Sequence, residues 1–323
     1  MRRVDVAGTL RRRLLTPSRS AATFAVRGFP EKSPDSRKLL ETVGMTFLTG
    51  YGHAAACSRV DEADARLAGV RHEFRGFAYE GAAMAFAVRD GLPFGHTHHV
   101  ADFLAGPADR HIYMVYVGLG WSLARLPRFW WRAATAAAND PLLRWLMLDG
   151  YGFHQGYFHT ERYVRRQFTD TAFRWPSDDP SPYAHRVVDQ GIGRALWFVT
   201  GADPDLLAAT IDLFAPERRS DLYSGAGLAA TYAGGVDEAE LRTLVKHAGP
   251  YRPSIAQGSA FAAEARSRAG LVVGHTELAT SVLCGMSVQE AAAVTDRARP
   301  DGDGEAPAYE IWRRRIADEL ATD

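Results

Sequence analysis

Apolar and small residues recur along most of this chain at the spacing of an α-helix. The segment DPDLLAATIDLFAP shows the pattern, because one helical face carries Leu206, Leu207, Thr210, Ile211 and Phe214. Alternating strand patterns are scarce, and the best candidates for strands are RHEFRGF and HIYMVYV. The second of these merges into a helical stretch. The pattern therefore predicts an all-α fold.

Six stretches of the chain share one pattern, in which a glycine is followed by small residues and an apolar helical run. The marking glycines are Gly81, Gly118, Gly150, Gly191, Gly225 and Gly258. Their separations average about 35 residues, the length of a two-helix unit in repeat proteins. We therefore predict a helical-repeat solenoid or α/α toroid of about six two-helix units. A loose α-helical bundle is the alternative.

The second helix of several units carries its own start and stop signals. Asp203-Pro204 and Asp237 are typical of helix N-termini, and Gly249-Pro250 is typical of a helix stop. Glycine inside a helix costs about 1 kcal/mol relative to alanine. Its recurrence therefore indicates that neighbouring backbones approach closely at these positions.

Segments outside the repeat divide the chain into three parts. Residues 1–40 read as a basic leader and loop, 41–298 as the helical-repeat domain, and 299–323 as a linker with a C-terminal amphipathic helix. Tyr309, Trp312 and Ile316 form the apolar side of that helix, which we expect to pack on the domain. Residues 166–186 are rich in proline and aspartate and read as an exposed loop.

The charge balance excludes a strongly basic protein. Lys plus Arg and Asp plus Glu number 38 each, so the net charge is zero and a nucleic-acid partner is not expected. The local excess is at the N-terminus, where one acid, Asp5, faces Arg2, Arg3, Arg11, Arg12, Arg13 and Arg19. This arm reads either as a solvated leader or as a peripheral contact with an anionic membrane. No apolar run is long enough to span a bilayer, so we expect a cytoplasmic protein.

Polar residues stand directly before five of the six marking glycines, within otherwise apolar helices. They are Glu80, Asp149, Gln190, Ser224 and Gln257. Buried polar groups need partners, so these residues either line a polar band around a central pocket or bond to adjacent helices. Both interpretations stay open from the sequence.

The densest group of candidate catalytic residues is the segment from Asp149 to Glu161. It contains His154 and His159, which are five residues apart and would not bind one metal from a regular helix, since spacings of three or four are needed. We expect His154, His159, Asp149 and Glu80 to be catalytic. The alternative is one core and one surface histidine. A second cluster, His96, His98 and His99, lies in a Gly/Pro-rich turn and reads as solvated.

Metal binding would draw on carboxylates and imidazoles, which suit iron or zinc. The candidate ligands are Glu80, His154, His159, His275 and Glu277, with iron as the metal considered. His275 and Glu277 also read as ordinary residues at a helix start. Metal-binding and nucleotide-binding motifs such as HExxH and GxGxxG are missing, so no nucleotide cofactor is expected. Cys57 and Cys284 read as buried thiols.

Aromatic and amide side chains supply the candidates for substrate binding. We expect contacts to an apolar substrate from Tyr157, Phe153, Trp121, Trp197, Gln190 and Gln257. Aromatics at helical spacing also occur as plain core, and that interpretation stays open.

Segments along the whole chain resemble the UnbL-type proteins of enediyne antibiotic biosynthesis. The resemblance covers residues 10–316 and is carried by RGFAYEGAAM, HIYMVYVGLGWSLARLPR, RWLMLDGYGFHQGYFH, VVDQGIGRALWFV, DLYSGAGLAATYAGGVD, YRPSIAQGSAFAAEARSRAG and HTELATSVLCGMS. Members of that family are encoded in actinobacteria beside the iterative polyketide synthase, and they contain a domain of unknown function.

The resemblance implies that the protein helps to convert the linear polyene made by the synthase into the enediyne core. Such a conversion is oxidative, through alkyne formation or cyclisation, and a complex with the other core-forming enzymes is an implied partner. The family supplies no catalytic residues to carry over. Three hypotheses follow: an oxidative enzyme or enzyme subunit, a polyene-binding protein without chemistry, and a scaffold for partner enzymes.

Overall fold

A computed structural model describes residues 8, 16–93, 98–170, 173, 183–302, 304 and 306–321. Every regular element in this part of the chain is a helix, so the predicted all-α class is confirmed. Internal contacts divide the chain into two compact units. The first unit comprises residues 1–28 and 41–150, and the second comprises residues 29–40 and 151–323.

The α-helices are numbered here in chain order: α1 (Phe24–Arg27), α2 (Pro34–Ala56), α3 (Val60–Ala68), α4 (Arg75–Gly91), α5 (His99–Leu104), α6 (Ile112–Leu123), α7 (Trp131–Ala134), α8 (Leu146–Phe158), α9 (Tyr183–Val199), α10 (Pro204–Ile211), α11 (Pro216–Ala233), α12 (Glu238–Ala248), α13 (Arg252–Ala269), α14 (Gly274–Cys284), α15 (Val288–Ala298) and α16 (Ala308–Leu320). Short 3-10 helices connect several of them, and Glu161–Arg165 is a π-helical turn.

The long helices pack against one another at glycines where no side chain fits. A Cβ built on Gly81 of α4 would overlap the carbonyl oxygen of Phe47 in α2, and one on Gly50 of α2 would overlap that of Ala78 in α4. Because a glycine lacks this atom, the two backbones come into direct contact. The close approach predicted from the sequence is confirmed at Gly81, and Gly50 makes a second one that the sequence did not predict.

The contacts between successive long helices keep one register. The carbonyl oxygen just before one marking glycine lies against the next one, in the pairs Glu80 with Gly118, Val117 with Gly150, Gln190 with Gly225 and Ser224 with Gly258. A second set of contacts follows the same order. The glycine two residues after a marking glycine lies against the carbonyl oxygen of the residue three positions before the next marking glycine. These pairs are Gly120 with Met147, Gly152 with Val188, Gly193 with Leu222 and Gly227 with Ile255. Each pair falls inside one of the two units.

The same register includes α2, which the marking glycines did not identify. Phe47 and Gly50 occupy the positions that Val117 and Gly120 occupy in α6. In this register α2 has leucine, Leu48, at the marker position, and its own Gly-x-Gly begins two residues later, at Gly50. The repeat therefore begins one helix earlier than predicted. Its arrangement as a solenoid or toroid stays a prediction.

Capping signals act as the sequence predicts. The Asp203 carboxylate accepts from the backbone N–H groups of Asp205 and Leu206 at 2.9 and 3.1 Å, with Pro204 as the first residue of α10. Asp237 and Glu240 form a reciprocal capping box at the start of α12. That helix ends at Ala248, and Gly249 follows it with a φ of 50°.

Both strand candidates are wrong. RHEFRGF forms the 3-10 turn His72–Phe74 and the start of α4, and HIYMVYV forms the first half of α6. β-Branched and aromatic residues favour strands only where a sheet surface exists to pack them. In α6 the residues from Met114 to Leu123 are all buried, so the apolar run is a buried helix.

The C-terminal helix buries the apolar side that the sequence predicts. Tyr309, Trp312 and Ile316 are at most 2% exposed, and the Trp312 ring lies 4.6 Å from that of Phe261 in α13. The proposed division at residues 40 and 298 stays a prediction. Most of the basic arm and most of the 166–186 loop lie outside the described residues, although α9 already begins at Tyr183.

Neither cysteine forms a disulfide, and both are buried, as expected. Burial raises the pKa of the Cys284 thiol to about 12, so this side chain is an uncharged core group. No described helix is long and apolar enough to cross a membrane.

Candidate functional site

Glu80 lies in the core of the first unit and bonds to an adjacent helix. Its Oε1 accepts a hydrogen bond of 3.0 Å from the Trp121 indole N–H in α6, and the two side chains are 2% and 8% exposed. The Trp121 ring packs on Phe47 with a centroid distance of 4.4 Å. Of the two interpretations for the polar positions, hydrogen bonding between helices describes Glu80. Asp149 is fully buried in the first turn of α8, also within the first unit.

The two candidate histidines lie in the second unit within a cluster of aromatic rings. His154 is 5% exposed, and its ring lies 4.7 Å from Phe158 and 6.0 Å from His159. Phe158 is half-buried and His159 is exposed. The predicted alternative of one core and one surface histidine therefore matches their burial. The His154 ring thus contacts an aromatic ring of α8, that of Phe158, and His159 lies next to His154.

The predicted substrate contacts Phe153 and Tyr157 belong to this aromatic cluster, which we define as Phe29, Phe153, Tyr157, Phe158 and Phe198. Tyr157 is central, with ring centroids 5.2 Å from Phe29, 5.8 Å from Phe153 and 4.9 Å from Phe158. The Arg194 guanidinium lies 5.1 Å from the Phe153 ring. The cluster thus combines buried rings with the half-buried Phe29 and Phe158.

Gln190 and Gln257 take part in hydrogen bonds between helices of the second unit. The Gln190 amide nitrogen donates to the Tyr309 hydroxyl at 3.1 Å. The Gln257 Oε1 accepts from the Ser224 hydroxyl at 2.7 Å and from the Arg313 Nε at 3.2 Å. These contacts again correspond to the interpretation of bonding between neighbouring helices.

A buried ionic network beside Gln257 was not found from the sequence. Asp221 is fully buried and binds Arg313 at 2.9 Å and Arg186 at 3.0 Å. Arg313 also donates to the Tyr183 hydroxyl at 3.3 Å, and burial raises the pKa of Tyr183 to about 12. The available signal was the position of Arg313, the first of three consecutive arginines, on the same helix face as Tyr309, Trp312 and Ile316.

Trp197 and His275 each donate a hydrogen bond to a backbone carbonyl oxygen in the second unit. The Trp197 N–H donates to Gly234 at 2.9 Å, and the His275 Nε2 donates to Tyr232 at 3.1 Å. Burial, aided by Arg266, lowers the pKa of His275 to about 4, so its ring is neutral at neutral pH. Glu277 is exposed in the first turn of α14, where its charge is favourable.

The described residues contain no group of three or more His, Cys, Asp or Glu side chains placed to hold a metal ion. The candidate ligands Glu80, His154, His159, His275 and Glu277 therefore do not form such a group. Iron binding stays a prediction from the sequence. The described residues do not supply a set of three ligands for the metal.

A water-sized chamber in the second unit gathers several titratable groups. It has a volume of about 20 Å³, room for about one water molecule, and the titratable residues of its lining are Tyr151, Tyr163, Asp170, His185, Asp189 and Arg218. Asp189 and Arg218 form a bidentate pair at 2.8 and 2.5 Å. Burial raises the pKa of Asp189, although the bonds from Arg218 oppose the shift.

A larger cleft in the first unit is lined by residues of α3 and α5. It measures about 530 Å³, and its polar lining includes Ser58, Asp61, Asp64, His98, His99 and Asp102. We call it the α3–α5 cleft. His99 is buried at 7% exposure and bonds through Nδ1 to Asp90 at 2.7 Å. The prediction that this histidine is solvated is therefore wrong, while His98 is exposed and His96 lies outside the described residues.

His99 is buried because α5 begins against the end of α4. Asp90, the last residue but one of α4, accepts backbone N–H bonds from His99 at 3.2 Å and Val100 at 2.9 Å. The His99 ring also stacks on Phe86, with centroids 5.5 Å apart and planes 6° apart. The sequence alone does not identify this pair, because a spacing of nine residues does not mark an aspartate as the partner of a histidine.

No curated protein and no solved structure matches this chain at a significant level. A family model described as a protein of unknown function, DUF1702, matches residues 6–320. That match spans every helix described above. The chain therefore belongs to the DUF1702 family of proteins of unknown function.

Proposed function

We propose that this protein acts in enediyne biosynthesis, on the linear polyene made by the iterative polyketide synthase. The step is oxidative processing toward the enediyne core, and the alternative is a polyene-binding or scaffold protein without chemistry. The chain-long resemblance to UnbL-type proteins motivates the pathway. The solenoid or toroid arrangement, the cytoplasmic location and a complex with other core-forming enzymes belong to the same proposal.

The observation that carries the proposal is the aromatic cluster around Tyr157. A conjugated polyene is flat and apolar, so it gains dispersion energy when its face lies on aromatic rings. Phe29 and Phe158 are half-buried and offer ring surface to such a ligand. The His154 ring lies 4.7 Å from Phe158 of the cluster, and the His159 ring lies 6.0 Å from that of His154, which supports a role for these imidazoles in the proposed step.

Binding is tested with a water-soluble linear conjugated polyene acid, measured by the shift of its absorption band and by quenching of protein fluorescence. We expect Phe158→Ala to weaken binding about two- to tenfold, since an aromatic contact contributes about 0.5–1.5 kcal/mol. Phe129→Ala is the matched control, because Phe129 is 77% exposed and lies outside the cluster. Equal affinity of the two variants, or no binding by the unaltered protein, would contradict the proposal.

Chemistry is tested separately by incubating the protein in air with the synthase and its polyene, so that dioxygen serves as the external oxidant. We expect His154→Ala and His159→Gln to keep polyene binding but to lose conversion of the polyene, followed by mass spectrometry. Conversion at the unaltered rate in both variants would show that the histidines have no catalytic role and would favour the binding alternative.

A further inference from the structure

A loop of the first unit exposes aromatic rings to solvent. It comprises residues 125–132, at the junction of α6 and α7, and we call it the Phe129 loop. Phe129 is 77% exposed, the largest exposed fraction among the large hydrophobic residues of the described chain. Trp130 is half-buried, and its ring meets that of Phe129 edge-on, with centroids 5.2 Å apart. The two adjoining rings form an apolar tip on the surface of this unit.

Hydrogen bonds hold the backbone that carries this tip. The N–H groups of Arg125 and Leu126 donate to the carbonyl oxygen of Ser122 at 3.0 and 2.9 Å. The buried Trp131 side chain donates its indole N–H to the carbonyl oxygen of Leu126 at 3.0 Å. The inner side of the loop is therefore fixed to its unit, and the Phe129 ring extends from it into solvent.

The Phe129 loop is basic and contains no acidic residue. Its charged residues are Arg125, Arg128 and Arg132, and the sequence has no aspartate or glutamate between Asp109 and Asp140. All three arginines are exposed. Arg125 and Arg132 form no ion pair with any residue in the described part of the chain. The apolar tip is thus surrounded by positive charge.

The helix that packs beside the loop does not reverse this charge. The end of α4 lies against the loop, because a Cβ built on Gly91 would come within 3.0 Å of the Leu126 Cδ1. The acid at that end, Asp90, is bonded to the His99 ring at 2.7 Å and to the Val100 N–H at 2.9 Å. Its carboxylate is therefore already occupied by α5.

We propose that the Phe129 loop docks the protein on an anionic lipid bilayer. The rings of Phe129 and Trp130 enter the headgroup region, and the three arginines bind lipid phosphates. Aromatic rings are favoured at the membrane interface, and a bilayer accepts a protruding tip without a matching pocket. Guanidinium groups pair with phosphates, and each arginine near an anionic leaflet adds to the attraction. The surface is independent of the polyene proposal, since the aromatic cluster belongs to the other unit.

Binding of the full chain to vesicles is measured by co-sedimentation. Vesicles made of equal parts phosphatidylglycerol and phosphatidylcholine are compared with pure phosphatidylcholine. We expect binding to the anionic vesicles that weakens as salt is added, because salt screens exposed charges. Phe129→Ala is expected to weaken this binding about tenfold, because the ring no longer leaves water. The matched control is Leu213→Ala, which removes a side chain that is 70% exposed in the second unit and should leave binding unchanged.

The charged part of the surface is tested with two double variants. One combines Arg125→Gln with Arg132→Gln, and the other combines Arg314→Gln with Arg315→Gln in α16. Each removes two exposed arginines, so the net charge changes equally. We expect the loop pair to weaken binding at least about tenfold and the α16 pair less than about twofold. Equal weakening by the two pairs would assign binding to overall charge, with the basic N-terminal arm included, and would overturn the proposal.

Insertion of the tip is measured by quenching of tryptophan fluorescence with brominated lipids. Among the tryptophans in the described part of the chain, Trp130 alone is not buried. We expect brominated lipids to quench the bound protein, and Trp130→Phe to lose most of that quenching while it keeps vesicle binding. No binding to anionic vesicles, equal affinity of Phe129→Ala and Leu213→Ala, or unchanged quenching in Trp130→Phe would overturn the proposal. So would a dimer that forms without lipid and is lost in Phe129→Ala, since the tip would then be a contact between two copies of the chain.

Discussion

At the scale of single residues, the sequence predicts where glycines make close backbone contacts. It does not predict which groups the polar residues beside those glycines bind. The sequence predicts close backbone contact at Gly81, Gly118 or Gly225, and the overlaps with neighbouring carbonyl oxygens confirm it. The partners of Glu80 and Gln190 were not predictable, because Trp121 and Tyr309 come from other helices at 41 and 119 residues' distance. Periodicity identifies a buried position, but only packing selects the donor that satisfies it.

The contact at Gly193 makes a direct prediction about stability. Gly193→Ala places a Cβ on the carbonyl group of Leu222 in α11, so the two helices must separate. We expect a loss of about 1–3 kcal/mol, measured as a lower midpoint of urea or thermal unfolding. The matched control is Gly302→Ala, where a Cβ meets nothing within 4 Å. Equal midpoints for the two variants would mean that the contact is not tight in solution.

At the scale of elements, the helices and their caps follow from local sequence, whereas long-range ion pairs do not. The apolar stripe of α16 is readable from spacing, and the capping box at Asp237 is readable from four residues. Arg313 lies on that same stripe, and its ionic partner Asp221 is 92 residues away in α11. HIYMVYV failed as a strand because composition favours β-structure locally, while burial on all sides selected a helix for α6.

The Arg313–Asp221 pair predicts how strongly α16 is attached to its unit. Arg313→Met leaves the buried Asp221 with Arg186 alone, and Arg186 is 46% exposed. Removing one partner of a buried ion pair costs about 3 kcal/mol, so we expect earlier unfolding and faster proteolysis near residue 306. Arg314→Met, at an exposed position of the same helix, is the control and should behave as the unaltered protein. Indistinguishable proteolysis rates would contradict a stabilising role for the pair.

At the scale of the whole molecule, each unit contains a histidine that resists protonation: His111, which is buried, and His275, which is half-buried. Burial lowers the pKa of His275 to about 4, with Arg266 adding to the effect, and burial lowers that of His111 to about 3, with Arg110 and Arg75 adding. The His111 ring stacks on Tyr79 at 3.8 Å, and its Nδ1 has no hydrogen-bond partner among the described residues. Charging it would leave a buried N–H unpaired.

These two histidines predict that acid destabilises both units. An unfolded histidine takes up a proton below about pH 6.5, while the folded rings stay neutral until about pH 4 or lower. Their contribution to stability is therefore fully present above pH 6.5 and is lost as the pH falls toward 4. We expect His275→Gln and His111→Gln each to reduce the pH dependence of the unfolding free energy by about one proton between pH 4.5 and 6.5. An unchanged slope in the double variant would refute this assignment.

The sequence alone determined the helical class, the repeat of about 35 residues, several capped helix ends and the close backbone contact at most of the marking glycines. These features depend on local propensity, capping and the size of single residues, and each of those properties is set by residues close together in the sequence. Tertiary structure decided which polar groups meet: Asp221 with Arg313, Glu80 with Trp121, and Asp90 with His99. Such contacts join residues from different helices, so their geometry exists only after those helices have packed.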